Sequence, residues 1–266
     1  MRLSDKVCVV TGASSGIGRR TALELAAAGA TVCAAARREQ QLQSLVGECG
    51  GGRHSYVVTD VSQRDQVHRL AAHVQRTYGR CDVLVNNAGF SGHHRPLEDA
   101  DAVSELEAIV ATNFLGAVYC TSELLELLEA AAPSSVVNVG SMAGRIAVTG
   151  SAAYSASKFA LMGWSEALHY ELAPKGVYVS VIAPGLIPTE GFPQSDFLRD
   201  PLLRHVLGTE EQVAAAILQT VESRKLERTV PRWNYLLQIP RVLTPPLYRF
   251  ALQKLTARYP RHGVDV

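Results

Sequence analysis

Val7-Cys-Val-Val-Thr11-Gly-Ala-Ser-Ser-Gly16-Ile-Gly18 is the stretch that determines the fold of this 266-residue chain. It begins as a short apolar run, typical of a buried strand, and continues as a glycine-rich loop. A helical pattern follows from Arg19 to Ala28. Strand, glycine loop and helix in this order predict a dinucleotide-binding unit, because a helix N-terminus attracts a pyrophosphate. In the spacing G-x3-G-x-G, Gly12 suits a tight turn, while Gly16 and Gly18 allow close approach of the backbone to the phosphates.

Strand-length apolar runs and helical patterns alternate along the rest of the chain. The apolar runs lie at 31–36, 55–59, 81–85, 135–141, 176–182 and 227–230, and helical patterns lie at 63–78, 103–131, about 152–173 and from 209 onwards. This alternation predicts a single α/β domain with a parallel sheet. Residues 186–208 lack periodicity, so we predict an active-site lid there. Its Phe192, Phe197 and Leu198 indicate an apolar pocket.

The composition is that of an ordinary globular protein, with 47% hydrophobic and 19% charged residues. Five scattered cysteines without a C-x-x-C pair are typical of core positions in a reducing compartment, so we expect a cytoplasmic location. The N-terminus leaves no room for a signal peptide before the first strand. The sequence contains no uninterrupted window of about 18 apolar residues, so we predict no membrane-spanning helix. Because His93 and His94 lack an acid or cysteine at ligand spacing, we predict no metal site.

Ser141, Tyr154 and Lys158 form the clearest catalytic pattern in the chain. Tyr154 and Lys158 are four residues apart in a helical run, which puts both side chains on one helix face. A neighbouring ammonium favours ionisation of a phenol, so the pair indicates proton transfer. Ser141 ends a strand-length run, and open α/β sheets bind ligands at the carboxyl ends of their strands. Alone, Tyr-x-x-x-Lys more often marks a solvated helix face.

The residues after the second strand indicate which dinucleotide is bound. About twenty residues past the glycines, an NAD-binding unit carries an acid that bonds the ribose 2′-hydroxyl. This chain has Ala36 there, followed by Arg37 and Arg38. A guanidinium matches the geometry of a 2′-phosphate, so we predict NADP(H) in preference to NAD(H), with NAD(H) use left open. The alternative is that the two arginines belong to a solvated helix start.

Further motifs occur in a fixed order along most of the chain. They are Thr11-Gly-x3-Gly-x-Gly18, Asp60, Asn86-Asn-Ala-Gly89, Asn113, Ser141, Tyr154-x3-Lys158 and Pro184-Gly185. Together they resemble the short-chain dehydrogenase/reductase family from about Lys6 to Thr189, with looser similarity to about Val230. The resemblance implies a doubly wound Rossmann fold with a seven-stranded parallel sheet flanked by helices. It also implies an oxidoreductase that transfers hydride between NADP(H) and a ketone, aldehyde or alcohol.

The resemblance assigns catalytic roles to four residues. Tyr154 would pass a proton to or from the substrate oxygen. Lys158 would lower the pKa of Tyr154 from its usual value near 10 and hold the nicotinamide ribose. Ser141 would hydrogen-bond the substrate oxygen, and Asn113 would keep a water that connects Lys158 to solvent.

The resemblance also predicts which residues contact the cofactor. Asp60 would bond the adenine amino group, Asn86 to Gly89 would line the adenosine side, and Thr189 with Pro184-Gly185 would hold the carboxamide. Ser15 stands where many NADP-preferring relatives carry a second basic residue, so Arg37 would carry most of the 2′-phosphate preference. The full predicted cofactor set is Thr11, Gly12, Ser14, Ser15, Gly16, Ile17, Gly18, Arg37, Arg38, Asp60, Val61, Asn87, Ala88, Gly89, Tyr154, Lys158, Pro184, Gly185, Ile187 and Thr189.

Two alternatives to a ketone–alcohol oxidoreductase stay open. The same four catalytic residues would serve a 3-oxoacyl-thioester reductase of the family. The alternative of another class is a non-catalytic dinucleotide-binding regulator or scaffold, against which the intact proton-transfer set argues. Family members are usually dimers or tetramers, so the resemblance implies a homo-oligomer. The chain has no motif for nucleic-acid binding, and we predict no nucleic-acid partner.

The last part of the chain is both basic and apolar. Residues 224–266 contain nine basic and two acidic residues, so the remainder of this +1 chain carries an excess of six negative charges. We predict a catalytic domain over 1–232 and a helical extension over 233–266, broken by prolines. The favoured interpretation is a flap on the substrate cleft or on a partner subunit, and the alternative is contact with a membrane surface. Either interpretation indicates a fairly large, apolar substrate.

Overall fold

Seven parallel strands form one sheet in the computed structural model of the protein, which describes residues 2–93, 95–189 and 207–258. The strands are β1 (Val7–Thr11), β2 (Thr31–Ala36), β3 (Ser55–Val58), β4 (Val83–Asn86), β5 (Ser134–Val139), β6 (Val177–Pro184) and β7 (Glu227–Val230). Their order across the sheet is β3-β2-β1-β4-β5-β6-β7. This confirms the predicted doubly wound fold, in which the direction of winding reverses between β1 and β4.

Helices connect the strands and cover both faces of the sheet. They are α1 (Gly16–Ala27), α2 (Glu39–Glu48), α3 (Arg64–Tyr78), α4 (Ala102–Val110), α5 (Gly116–Ala130), α6 (Ala152–Leu172) and α7 (Glu210–Ser223). After β7 come a 3₁₀ helix over Arg232–Gln238, α8 (Ile239–Leu243) and α9 (Pro245–Arg258). Most of the predicted lid lies outside the described residues, and so do His94, Phe192, Phe197 and Leu198.

Alternate residues of each central strand pack into two apolar layers. In β1, Cys8 and Val10 belong to the layer formed with α1, α2 and α7, whereas Val9 belongs to the layer formed with α3, α5 and α6. Burial on both faces explains why these strands appear as continuous apolar runs in the sequence. Four of the five cysteines are buried in these layers as free thiols, namely Cys8, Cys33, Cys81 and Cys120.

The helix predicted over 103–131 consists of α4 and α5 joined by a π turn at Ala111–Leu115. Asn113 lies in this turn and is buried. Such turns occur frequently at functional sites. Although the sequence has no uninterrupted apolar window, the combined helix 102–130 is long and apolar enough, by length and composition only, to cross a membrane. Its α5 part packs in the second layer of the core through Cys120, Leu124 and Leu128.

Two polar side chains of the segment after β7 contact the rest of the protein. Asn234 is buried against Gly185, so close that a Cβ on the glycine would lie 1.9 Å from Asn234 Nδ2. Arg241 of α8 donates a hydrogen bond to the carbonyl oxygen of Arg145, and its guanidinium carbon lies 4.9 Å from the centre of the Phe159 ring. The extension is therefore helical over its described residues up to Arg258, as predicted, and its first part is docked. Its separation from the catalytic domain as a distinct unit stays a prediction.

The glycine loop packs against the loop after β4 without space for further atoms. A Cβ on Gly18 would lie 2.3 Å from Asn87 Nδ2 and 2.4 Å from the carbonyl oxygen of Gly12. A Cβ on Gly12, whose φ is +64°, would lie 2.8 Å from Ala88 Cα. We expected Gly18 to admit a pyrophosphate, but the structure requires this glycine for the packing of α1 against the neighbouring loop.

We expect Gly18→Ala to lower the free energy of unfolding by about 2 to 3 kcal/mol, because the new methyl group must displace the amide nitrogen of Asn87 and the carbonyl oxygen of Gly12. Gly47→Ala in α2 is the matched control, since a Cβ there meets nothing within 4 Å. That variant should gain about 0.5 kcal/mol from its better helix propensity. Urea denaturation followed by circular dichroism measures both changes, and equal stability of the two variants would contradict the packing argument.

Candidate active site

The loops after β1 and β4 are joined by hydrogen bonds where the order of the strands reverses. Thr11 Oγ1 accepts hydrogen bonds from the backbone N–H groups of Asn87 and Ala88, at 3.0 and 3.2 Å. Asn87 Nδ2 in turn donates to the carbonyl oxygens of Thr11 and Gly12, at 3.0 and 3.2 Å. The two loops therefore stand side by side and border the crevice in which open α/β sheets bind ligands.

The start of α1 has the features of an anion-binding site. The glycine loop leads directly into this helix, whose first N–H groups and positive dipole end attract phosphate. Gly16 has a φ of +58°, which favours glycine, and a Cβ there would lie 3.4 Å from Thr189 Cβ. The segment after β6 thus reaches the glycine loop, and the predicted contact of Thr189 with the carboxamide of the cofactor stays a prediction. Ile17 packs partly against the first apolar layer, and Ile187 is buried in it.

Arg38, rather than Arg37, contacts the glycine loop. Its Nε and Nη2 atoms donate hydrogen bonds to Ser14 Oγ at 3.2 and 3.1 Å, and Nη2 also donates to Ser15 Oγ. The Arg37 side chain is exposed. We expected Arg37 to supply most of the preference for a 2′-phosphate. The geometry favours Arg38, because its guanidinium and two serine hydroxyls converge at the loop. These groups fit a phosphorylated dinucleotide.

The residues after β3 and at the end of β4 differ in whether their side chains can contact a ligand. Asp60 Oδ1 accepts hydrogen bonds from Ser62 N and Oγ at 3.0 and 2.7 Å, which orient its carboxylate. The side chain of Val61 is buried against Gly116, so only its backbone can meet a cofactor. Asn86 is also buried and donates to Asn138 Oδ1 at 2.8 Å. Its side chain belongs to the core, which corrects the expectation that Asn86 lines the adenosine side.

Tyr154 and Lys158 both lie in α6 and are both buried. Lys158 Nζ is 5.7 Å from the centre of the Tyr154 ring. It donates a hydrogen bond to the carbonyl oxygen of Val139 at 2.9 Å. Gly89 lies beside it, since a Cβ on that glycine would be 3.6 Å from Nζ. The helix therefore presents the two groups to the carboxyl ends of β4 and β5.

Burial shifts the pKa values of these two groups in opposite directions. It raises the pKa of Tyr154 to about 12, although a hydrogen bond with Ser141 acts against this shift. It lowers the pKa of Lys158 to about 8. In both cases, removal from water disfavours the charged form. Burial therefore opposes the expected lowering of the Tyr154 pKa by Lys158, because removal from water disfavours the phenolate.

Ser141 begins the 3₁₀ turn Met142–Gly144 that follows β5. Its Oγ accepts a hydrogen bond from Ala143 N at 3.0 Å, which leaves its own hydrogen for donation. The hydrogen bond between Ser141 and Tyr154 places their two hydroxyl groups next to each other. Converging hydroxyls of this kind can polarise a carbonyl oxygen and exchange a proton with it.

The Asn113 side chain is engaged within the protein. Its Nδ2 donates to the carbonyl oxygen of Phe90 at 2.9 Å and to Ser157 Oγ at 3.1 Å, and its Oδ1 accepts from Phe90 N at 2.9 Å. Asn113 therefore joins the loop after β4 to α6, one residue before Lys158. These side-chain contacts are those of a positioning residue, and the water that Asn113 would keep for a proton relay stays a prediction.

Comparison with known proteins adds to this geometry. The sequence profile described as short chain dehydrogenase matches residues 6–196. The chain belongs to this family. A 3beta-hydroxysteroid dehydrogenase of Mediterraneibacter gnavus is 37% identical over 69% of this chain and 66% of its own length. A 3-oxoacyl-[acyl-carrier-protein] reductase of Thermotoga maritima is 37% identical over 82% of this chain and 91% of its own length.

A third relative, a 3-ketodihydrosphingosine reductase of Bos taurus, is 34% identical over 86% of this chain and 72% of its own length. Family membership makes the protein an oxidoreductase of the short-chain dehydrogenase type. Its arrangement of Ser141, Tyr154 and Lys158 at the carboxyl edge of the sheet agrees with that class of enzyme.

Sequence reasoning missed two residues that support the site. Phe90 binds Asn113 through its backbone, and its position directly after the Asn-Asn-Ala-Gly motif could have indicated it. Asn234 packs on Gly185. No sequence signal could have identified this contact, because it depends on the path that the chain takes after β7.

We expect Lys158→Met to raise the free energy of unfolding at pH 7 by about 1 to 3 kcal/mol, because the wild-type protein buries an ammonium group there. Between the folded pKa of about 8 and the ordinary value of 10.5, the unfolded chain holds a proton that the folded chain lacks. The destabilisation caused by buried Lys158 therefore decreases as the pH rises through that window. The excess free energy of unfolding of Lys158→Met over the wild type should then disappear.

Denaturation curves of both proteins between pH 7 and about pH 10 measure this difference. Lys175→Met is the control, because Lys175 is about half exposed and forms an ion pair at the surface with Glu129. Its effect should stay below about 0.5 kcal/mol at every pH. A difference between Lys158→Met and wild type that is independent of pH would refute the assigned pKa shift.

Proposed function

We propose that this protein is an NADP(H)-dependent oxidoreductase that interconverts a ketone and a secondary alcohol on an apolar substrate. The observation that carries the proposal is the convergence of the Ser141 and Tyr154 hydroxyls beside a buried Lys158. These groups lie next to the crevice bordered by the glycine loop. A protein that only binds a dinucleotide has no need of proton-transfer groups at that position, which argues against a regulator or scaffold.

The chain's own residues handle the proton. In carbonyl reduction, Tyr154 donates its proton to the substrate oxygen, and its raised pKa keeps the phenol protonated at neutral pH. Ser141 donates a hydrogen bond to the same oxygen and stabilises the negative charge that develops there. Lys158, whose pKa is about 8, exchanges protons near neutral pH and supports reprotonation of Tyr154. In alcohol oxidation the proton moves the opposite way.

The cofactor, when bound, supplies or accepts the hydride. We assign the pyrophosphate to the glycine loop and the N-terminus of α1, and the 2′-phosphate to Arg38 with Ser14 and Ser15. Exposed Arg37 adds positive charge nearby, and use of NAD(H) stays open. The remaining residues proposed to line the cofactor are Thr11, Asp60, Val61, Asn87, Ala88, Gly89, Pro184, Gly185, Ile187 and Thr189.

The names of the relatives support the substrate class. The three proteins are named for a steroid, an acyl chain on a carrier protein and a sphingosine, and each name describes conversion between a hydroxyl and a keto group. All three molecules carry large apolar parts. The second candidate function, a 3-oxoacyl-thioester reductase, is favoured by the match to 91% of the Thermotoga maritima protein. Rates with a 3-oxoacyl thioester and with a cyclic ketone of similar size distinguish the two candidates.

We propose that the protein forms a homodimer or homotetramer in the cytoplasm. Its five cysteines are free thiols, which suits a reducing compartment. Val103 and Leu106 of α4 and Tyr170 of α6 are large apolar side chains exposed on helices that the family commonly uses for assembly. Burial of such groups would stabilise an oligomer.

Tyr154→Phe should lower turnover by about 10² to 10⁴-fold, because the variant lacks the proton that the substrate oxygen receives. Affinity for NADPH should stay unchanged, since the aromatic ring is retained. Tyr170→Phe, at an exposed position of the same helix, is the matched control and should keep full activity. NADPH oxidation with a panel of ketones and NADPH fluorescence titration measure the two quantities. Unchanged turnover in Tyr154→Phe would refute the enzymatic mechanism.

Arg38→Ala should weaken NADPH binding by about tenfold or more and leave NADH binding unchanged, because the loss is confined to the contact with the 2′-phosphate. Arg37→Ala is the matched variant and should have the smaller effect, since Arg37 is exposed and Arg38 contacts the glycine loop. Titrations of both variants with both nucleotides measure this. A larger loss in Arg37→Ala would reassign the phosphate contact, and equal affinity of the wild type for both nucleotides would refute the preference for NADP(H).

A further inference from the structure

Exposed apolar side chains are concentrated in one short part of the chain. Of the fifteen large hydrophobic residues that are exposed in the described structure, nine lie between Trp233 and Phe250. Leu243 at the end of α8 is 73% exposed, and Leu247 in α9 is 65% exposed. Such a concentration marks a binding surface in a folded protein. We refer to residues 232–254 as the C-terminal face.

The C-terminal face is also uniformly basic. No Asp or Glu occurs from Arg228 to Val264. Among the described residues, no ion pair involves Lys225, Arg232 or Arg249. These three positive charges are therefore not paired with carboxylates in the part of the chain that the structure describes, and they are available to a negatively charged partner.

A cleft at the border of the face gathers several of these cations. It lies beside β7 and the 3₁₀ helix and has a volume of about 430 Å³. The residues that line it are Lys225, Glu227, Arg228, Thr229, Arg232 and Tyr235. Three of the six are cationic, and Tyr235 adds a hydroxyl group, so the lining matches the hydrogen-bonding needs of a phosphate group.

The cations in the cleft keep their charge available. Arg228 is held by two neutral hydroxyl groups, donating to Thr220 Oγ1 at 3.0 Å and to Ser223 Oγ at 3.3 Å. The acid in the lining, Glu227, is already paired with the guanidinium of Arg145. The cleft therefore has an excess of positive charge, and the guanidinium of Arg228 is held in position to bind an anion.

The charge pattern favours a lipid surface over a second copy of the chain. In an isologous dimer through this face, the cations of one copy would meet those of the other, and no acid of the face would compensate them. An anionic bilayer supplies negative charge over its whole surface and an apolar layer directly beneath. The cations of the face would then meet anionic head groups, and its apolar side chains would leave water.

We propose that the C-terminal face binds the surface of an anionic lipid bilayer. Leu243, Leu247 and Phe250 enter the boundary between head groups and acyl chains, and the cationic cleft binds the phosphate of a lipid head group. This interaction is independent of the proposed reaction, because it involves none of the catalytic residues.

Co-sedimentation of the full-length chain with large vesicles tests the proposal. Vesicles of phosphatidylcholine mixed with phosphatidylglycerol should bind the protein at least tenfold better than phosphatidylcholine alone, and the difference should shrink as salt is added. Lys225→Ala with Arg232→Ala should weaken binding to the anionic vesicles by about fivefold for each charge removed. Leu243→Glu with Leu247→Glu should abolish it.

Leu97→Glu is the matched control, because Leu97 is 80% exposed but lies outside the C-terminal face. Its vesicle binding should stay within about twofold of wild type, and circular dichroism should show that every variant is folded. Failure of the intact protein to bind anionic vesicles would overturn the proposal, and so would equal binding to both kinds of vesicle. A change of oligomeric state in Leu243→Glu, in a protein that binds no vesicles, would identify the face as a subunit interface instead.

Discussion

The absence of side chains at Gly12 and Gly18 is the constraint on which the site depends. Because neither residue has a Cβ, the Asn87 amide reaches the carbonyl oxygens of the glycine loop and joins the ends of β1 and β4. The chain then continues directly to Gly89, which lies beside Lys158 Nζ. One packed arrangement therefore positions both the dinucleotide crevice and the lysine of the proton-transfer group. A substitution at either glycine would disturb binding and catalysis together.

Burial decides the electrostatics of the catalytic pair. The same loss of water raises the pKa of Tyr154 and lowers that of Lys158, so both groups move towards their neutral forms. A buried phenolate beside a buried ammonium would be stabilised by their attraction but would lose the hydration of two charges. Burial therefore favours the protonated phenol, which is hydrogen-bonded to the hydroxyl of Ser141. This state suits a site that donates a proton to a developing alkoxide.

The sequence predicts those parts of the site that depend on local geometry. Strand and helix alternation gives the sheet, and the four-residue spacing gives the common helix of Tyr154 and Lys158. Properties that depend on tertiary packing were predicted less well. Whether Arg37 or Arg38 turns towards the glycine loop depends on the direction of the chain after β2. The π turn around Asn113 and the net pKa shift of Tyr154 depend on neighbours that are distant in sequence, and no local pattern specifies them.

The C-terminal extension illustrates the same limit, because its composition suits both a flap over the cleft and a lipid-binding surface. A closed flap would bury its apolar residues, yet Leu243 and Leu247 are on the surface, and the docking contacts that the structure describes come from Asn234 and Arg241. The docking contacts fall on Gly185 and Phe159, and Phe159 directly follows Lys158. A bilayer bound at this face would therefore lie close to the catalytic helix. An apolar substrate could then reach Tyr154 with little exposure to bulk water, which would connect the basic, apolar extension with a lipid-like substrate.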